Sequence, residues 1–304
     1  VTGRKDIYMK VLNFGSLNVD NVYTLPHIVT AGETILSDHL SQFPGGKGLN
    51  QSVALAKAGL DVWHAGIIGN DGQMLLETLK GAGVHTDYIR QLDVRGGHTV
   101  IQVDEKTGQN CIILYGGTNQ MQTKEYVDEV LAHFGKGDYL VLQNEINQLD
   151  YIIDRAYAAG MKIILNPSPF NGNLDFCDLG KVSLFLVNEV EAAQITGLSD
   201  YGTALEALHE KFPEAAFVMT LGSDGAWFFD GKQKVFQDIF KVKAVDTTAA
   251  GDTFTGYFVA EMAEGKDVRT ALRVASKASS IAVTRPGAAP SVPYKDEVMK
   301  ELGM

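Results

Sequence analysis

The stretch VDTTAAGDTFTGY (245–257) sets a carboxylate, Asp252, behind Ala249, Ala250 and Gly251. Phe254, Phe258, Val259 and Met262 then recur at helical spacing, and Gly265 can end the helix. Asp252 therefore falls in the first helical turn. Small residues let backbone N–H groups approach a ligand there, and a helix N-terminus favours negative charge. A base beside an anion cradle suits phosphoryl transfer: the acid takes a proton from a hydroxyl about 3 Å away while amides stabilise charge on the phosphate oxygens. Taken alone, the same residue also reads as an ordinary N-terminal Asp satisfying the helix dipole.

A second constellation is PGGKGLNQSVALAKAG (44–59). Gly45, Gly46 and Gly48 let backbone come close to a ligand, Lys47 and Asn50 offer directional donors, and an Ala-rich helix follows. It is not a Walker motif, because Gly48 stands where Ser or Thr would hold magnesium and Ser41 where the first Gly belongs. A tight loop with a solvated lysine would read the same way. In NEVEAAQITG (188–197), Asn188 and Glu191 are three apart and can face one ligand from a helix start, an amide and a carboxylate suited to hydrated magnesium and phosphate. In TLGSDG (220–225) a buried strand runs into a glycine turn able to wrap a nucleotide, although capping and turn chemistry explain both stretches singly.

These residues need a frame. The apolar runs 11–17, 62–69, 139–143, 162–168, 183–188 and 217–222 are each expected to lead into a helix, the βαβ rhythm of a mostly parallel sheet covered on both faces. Segments 18–44 and 98–115 break that rhythm; the second reads as two strands around DEKTGQ, and both are expected in a small antiparallel sheet laid over one edge. Ligands of open α/β sheets bind outside the carboxyl ends of the strands, where Asn18, Asp20, Glu145, Asn188, Glu191 and Asp252 fall.

With 304 residues, a formal charge of −11 and 45% hydrophobic residues, the chain is a globular protein without the basic surface that nucleic acid or anionic membrane would require. Cys111 and Cys177 are too few for a disulfide framework and lack metal-ligand spacing, so a reducing cytoplasm is expected. No run approaches a membrane span or a signal peptide. Residues 9–304 are expected to form one α/β domain, and residues 1–8 are set aside as a tag remnant or upstream extension.

Taken together, GSLNVD (15–20), AGET (31–34), GGKGLNQSVALAKAG (45–59), NPSP (166–169), NEVEAAQITG, TLGSDG, DTTAAGDTF (246–254) and AVTRPGAAPSVP (282–293) resemble the ribokinase family of carbohydrate kinases, over nearly the whole chain. The resemblance implies a ribokinase-like α/β fold with a β-sheet lid, and ATP, Mg2+ and an activating K+ as cofactors. It implies sugar contacts at Asn18, Asp20, Gly46, Lys47, Asn50 and Glu145. Asp252 is implied as base, with the amides of Ala249, Ala250 and Gly251 as anion hole. Asn188, Thr220, Gly222, Ser223, Gly225, Gly251 and Ser276 are implied as nucleotide contacts and Glu191 as the residue orienting hydrated magnesium. Asp246, Thr248, Ala282, Arg285, Gly287 and Ser291 fall where the family binds a monovalent cation, largely through backbone carbonyls.

Within the family, the front motif, Glu145 and the tail match the ribokinase branch, which implies D-ribose; another sugar or a nucleoside is the alternative. A sugar phosphate would need further cations, and Arg90, Arg95, His98 and Lys106 lie in the lid region, where they also read as solvated charges. In the family such a lid often pairs with a second copy, so a homodimer is expected. A dinucleotide-dependent oxidoreductase is disfavoured because no G-x-G-x-x-G follows the first strand; GAGVHT (81–86) lacks the third glycine. A non-catalytic relative would have lost Asp252 or the small residues before it, and both are present.

Overall fold

The computed structural model describes residues 9–304, so the extension assigned to residues 1–8 lies outside the described residues. The elements run β1 (Val11–Phe14), β2 (Asn18–Leu25), β3 (His39–Gly45), α1 (Lys47–Lys57), β4 (Val62–Ile68), α2 (Gln73–Gly81), β5 (His85–Gln91), β6 (Gly97–Asp104) and β7 (Asn110–Tyr115). They continue α3 (Lys124–Leu131), β8 (Tyr139–Gln143), α4 (Leu149–Ala158), β9 (Lys162–Asn166), β10 (Leu184–Asn188), α5 (Glu189–Thr196), α6 (Tyr201–Lys211) and β11 (Ala216–Thr220). Last come β12 (Ala226–Phe229), β13 (Lys234–Gln237), α7 (Ala250–Ala263), α8 (Val268–Ala282) and α9 (Lys295–Leu302).

Nine strands form the main sheet in the order β13-β12-β11-β10-β9-β8-β1-β4-β5. Strands β8 to β11, β1, β4 and β5 are parallel, and the apolar runs of all but the edge strand β5 are buried on both faces as such a sheet demands. The pleat divides each run: Val11 and Val141 pack in the core beneath α1, α7 and α8, whereas Leu12, Phe14, Leu140 and Leu142 pack in the core beneath α3 to α6. By the same alternation Asn13 and Gln143 turn toward α1. The chain builds outward from β1 first through β4 and β5, then on the other side through β8, so the order reverses between β1 and β8. Such a switch point opens a crevice at the carboxyl ends of the strands.

Three runs do not lead where expected. The first, at β1, passes into strands β2 and β3, and α1 begins only at Lys47. After β9 the chain makes short 3-10 turns at Gly172–Phe176 and Leu179–Lys181 instead of an α-helix. After β11 it folds into the antiparallel strands β12 and β13, because Gly225, at φ 100°, reverses the chain before a helix can start.

The second sheet has the order β3-β2-β6-β7 and forms the expected lid. It is not wholly antiparallel: β2 and β6 run parallel, from Asn18 beside Gly97 to Leu25 beside Asp104. Parallel neighbours need a long crossover, and here the chain from β3 through β5 supplies it. Leu40, Phe43, Ile112, Ile113 and Tyr115 of this sheet are exposed.

Candidate functional site

Two clefts open at the carboxyl ends of the strands, the second beside the switch point and the first over β9, β10 and β11. The first is lined by Lys47, Asn166, Ser168, Asn188, Glu191, Thr220, Thr248, Gly251, Asp252 and Thr255. The second is lined by Asn18, Leu114, Asn119, Gln120, Asn144, Glu145, Asn171 and Asn173, with Leu114 contributed by the lid.

Asp252 lies in the first turn of α7, as the helical spacing predicts, and is 6% exposed. Two amides of α1 hold its carboxylate: Asn50 Nδ2 donates to Oδ2 at 3.1 Å and Gln51 Nε2 to Oδ1 at 2.9 Å. No side chain caps this helix. The Ala250 amide donates to the Thr247 carbonyl at 3.2 Å, while the amides of Ala249 and Gly251 meet no protein acceptor among the described residues. A Cβ placed on Gly251 would meet nothing within 4 Å, so the space in front of this helix end is open to a ligand. Together these features fit a phosphate group at the helix N-terminus.

The glycine turn puts Lys47 and Glu145 across from Asp252. Gly48 carries no side chain because a Cβ there would stand 2.4 Å from the Ser16 amide and 2.6 Å from the Gly15 carbonyl carbon. That contact seats α1 on the end of β1. Glu145 Oε2 accepts from the Lys47 amide at 3.1 Å and from the Ser16 hydroxyl, which in turn accepts from the Gly48 amide at 3.2 Å. Burial raises the Glu145 pKa, with the Lys47 charge and these hydrogen bonds opposing in part. Burial would lower the Lys47 pKa, yet Asp252, Glu145 and Glu191 around it carry it above its ordinary value. Lys47 thus stays charged at the meeting point of the two clefts.

In the lid, Asn18 and Asp20 share a face of β2, as alternation predicts. Asn18 Oδ1 accepts from Asn119 Nδ2 at 2.7 Å and Asp20 Oδ1 from the Thr99 hydroxyl at 2.7 Å. Burial raises the Asp20 pKa against the effect of Thr99.

Asn188 and Glu191 make a reciprocal cap of α5: Asn188 Oδ1 accepts from the Glu191 amide at 2.8 Å and Glu191 Oε2 from the Asn188 amide at 3.0 Å. Capping and ligand reading coexist, because both residues also line the first cleft and Glu191 Oε1 has no hydrogen bond among the described residues. No group of three or more His, Cys, Asp or Glu able to hold a metal ion occurs among the described residues. Glu191, with Oε1 unbonded in this cleft, would suit a magnesium ion carried mainly by phosphate and water and reached through water.

Thr220 lines the first cleft, whereas Gly222, Ser223 and Gly225 form the turn beyond it and Ser276 stands on α8 outside both clefts. It is Ser279, one turn further, that donates to the Ala250 carbonyl at 3.0 Å. The segments proposed for the monovalent cation do meet: Asp246 Oδ2 accepts from the Gly287 amide and Oδ1 from the Thr248 amide, both at 2.9 Å. Arg285 is turned to Glu297 on α9, and the Ala282 carbonyl accepts from the Arg285 amide at 3.0 Å. Ser291 bonds the Ala288 carbonyl, so its hydroxyl is already engaged.

Sequence reading missed Ser16, Gln51, Asn119, Asn144 and Thr255. Ser16 lies inside GSLNVD and Gln51 directly after Asn50, so an inspection of every polar residue in those motifs would have found them. Among the cations near the lid, Arg90 pairs with Glu129, Arg95 lies 3.9 Å from Asp71, and Lys106 is exposed. None of these three, nor His98, lines either cleft.

Residues 9–295 match the family model described as pfkB family carbohydrate kinase. The ribokinase of Bacillus subtilis (strain 168) is 35% identical over 293 residues, covering 95% of this chain and 97% of its own. The ribokinase of Haemophilus influenzae is 33% identical over 299 residues, covering 95% and 96%. The structure of Arabidopsis thaliana ribokinase complexed with ribose and ATP superposes with a TM-score of 0.86 at 30% identity, over 98% of this chain and 100% of that one, which bears out the ribokinase-like fold. With likeness of this extent in sequence and in structure, the chain belongs to the pfkB family and is a carbohydrate kinase.

Proposed function

We propose that residues 9–304 act as one unit that transfers the terminal phosphoryl group of ATP to the 5-hydroxyl of D-ribose. The observation that carries this reading is the position of Asp252, a buried carboxylate where an amide-lined cleft meets an open helix N-terminus. The second cleft offers amides, one carboxylate and a leucine, the groups that fix vicinal hydroxyls. It has no cationic lining for a sugar phosphate and no aromatic lining for a nucleobase, which favours a neutral sugar over the alternatives. Likeness to the ribose- and ATP-bound Arabidopsis enzyme supports the same pair of substrates.

Asp252 accepts the proton of the attacking hydroxyl, and Asn50 and Gln51 hold its carboxylate toward that atom. Amides at the head of α7 donate to the transferring group, and Lys47 balances its charge from the opposite wall. Asn188, Thr220 and the turn at 222–225 lie along the nucleotide's path. Glu191 would hold magnesium through water, and the ion, when bound, would supply neutralisation of the phosphate oxygens. Residues 246–248 and 282–291, which meet beside α7, would hold K+, and the ion would supply positive charge near the head of that helix. Leu114 and the lid cover the sugar and exclude water. The exposed apolar residues of the lid pair with a second copy, and equilibrium sedimentation would read a dimer.

Release of ADP, followed with ATP, Mg2+ and K+ against ribose, 2-deoxyribose, fructose, fructose 6-phosphate, adenosine and uridine, tests the reading. A preference for ribose of tenfold or more, about 1.4 kcal/mol, is expected. Preference for fructose 6-phosphate or a nucleoside would overturn the assignment of the second cleft.

A further inference from the structure

Beneath Asp252 runs a line of buried amides that no ligand contact explains. Asn13 on β1, Gln51 on α1 and Gln143 at the end of β8 are 0%, 0% and 1% exposed, and none of them lines either cleft. Amides so placed cost stability unless bonded, and apolar side chains would fill the same space without that demand.

Their hydrogen bonds form one directed line. Asn13 Nδ2 donates to the Gly48 carbonyl at 2.9 Å. Gln143 Nε2 donates to Asn13 Oδ1 at 3.1 Å and to Gln51 Oε1 at 2.7 Å. Gln51 Nε2 then donates to Asp252 Oδ1. The direction is dictated from its far end. A backbone carbonyl only accepts, so Asn13 must turn Nδ2 to Gly48 and Oδ1 to Gln143. Gln143 must then offer Nε2 to both Asn13 and Gln51, and Gln51 is left with Nε2 facing Asp252. Any single reversal sets acceptor against acceptor. The arrangement even leaves Gln143 Oε1 buried without a partner, a cost that mere space-filling would not incur.

We propose that the Gly48 carbonyl, acting through Asn13, Gln143 and Gln51, fixes the polarity with which the catalytic carboxylate is held, so that Asp252 always meets a donor and stays oriented. This rests on the reading of Asp252 as the base. Gln51, Gln143 and Asn13 are positioning residues: they act on the sugar hydroxyl only through Asp252. The other charged groups around Asp252 are Lys47 at the head of α1, Glu145 after β8 and Glu191 at the head of α5, and they are the same in every variant below.

The test is Gln143→Glu, two links from Asp252 and nearly the same shape. Its carboxylate replaces the donor that Gln51 faces, so Gln51 turns its amide and presents Oε1 to Asp252. The acid limb of the kcat profile, at saturating sugar and ATP, is expected to move up by at least one pH unit, a tenfold loss on the acid side. Gln51→Glu, which sets a carboxylate directly against Asp252, moves it further in the same direction. A Gln143→Glu enzyme with lowered thermal stability and the parental pH profile overturns the proposal and leaves Gln143 a packing residue. Should that variant fail to fold, Gln51→Glu decides by the same criterion. Asp252→Asn separates the two levels. Near-parental turnover in it removes the base reading itself, whereas its inactivity beside unshifted glutamate variants removes only the amide line.

Discussion

The distance between α1 and α7 sets the geometry of Asp252, and Gly256 sets that distance. Gly256 lies one turn beyond Asp252, against Ala54, one turn beyond Asn50. A Cβ on Gly256 would stand 2.4 Å from Ala54 Cβ, 2.7 Å from the Ala54 carbonyl carbon and 2.8 Å from the Leu55 nitrogen. Carbon atoms pack at roughly 3.5–4.0 Å, so Gly256→Ala must drive the helices apart by about 1 Å. The bonds from Asn50 and Gln51, now 3.1 and 2.9 Å, stretch to about 4 Å and cease to be hydrogen bonds. Overpacking of this kind costs about 1–3 kcal/mol of stability, and a misplacement of about 1 Å at a reacting group costs roughly a hundredfold in rate. We expect a melting temperature lowered by several degrees and kcat reduced about a hundredfold, read by thermal unfolding and by ADP release. Gly81→Ala is the control, since a Cβ at that helical position meets nothing within 4 Å. Adding Ala54→Gly to Gly256→Ala removes only the nearest of the three contacts, so rescue should be partial. A Gly256→Ala enzyme that melts early yet turns over normally would refute the link between helix spacing and the base.

Glu145→Gln should raise the KM for sugar by roughly 10- to 100-fold, the worth of a charge-assisted hydrogen bond, and leave the KM for ATP within about twofold; equal loss for both would show general damage. Burial pushes the His64 pKa down to about 4. The unfolded chain therefore binds a proton between pH 6.5 and about 4 that the native protein refuses, and stability is lost as pH falls through that window, by about 3 kcal/mol. His64→Gln should flatten this part of the curve of melting temperature against pH, and an unchanged slope would show that His64 does not carry it.

The candidate ligand contacts were legible because they sit in small-residue turns and helix starts, where the backbone itself can come close: Gly46, Lys47, Gly251 and Asp252 announce themselves by composition. The doubly covered sheet was legible from its apolar runs. Asn13 and Gln143 were not, although VLNF and YLVLQ show an amide inside or at the end of a buried strand. One strand cannot tell which layer an amide faces or what stands opposite, and here the partners come from β1, β8, α1 and α7. The parallel pairing of β2 with β6 was hidden for a related reason, since it depends on where a distant strand is laid down. Ser279 lies three residues from Ser276, and only the packing of α8 on α7 decides which of them meets Ala250.

The three lid strands that meet at Asn18, Gly45 and Gly97 join the body side by side, and Asn119 holds two of them, β2 and β6, there. Asn119 Oδ1 accepts from the Leu17 amide at 2.9 Å, its Nδ2 bonds Asn18, and a Cβ on Gly97 would stand 2.2 Å from that nitrogen. Any swing of this sheet would pivot on this line, where displacement is least; Tyr115, opposite His98, and Leu114, opposite Thr99, stand beside it, whereas the far ends of the strands near Leu25, His39 and Asp104 would travel furthest. Asn18 and Leu114, which both line the second cleft, are thus kept close to the part of the sheet that moves least. Damage to the travelling edge would leave the resting affinity for sugar largely in place and show itself as wasted ATP, spent on water while the cover stands ajar.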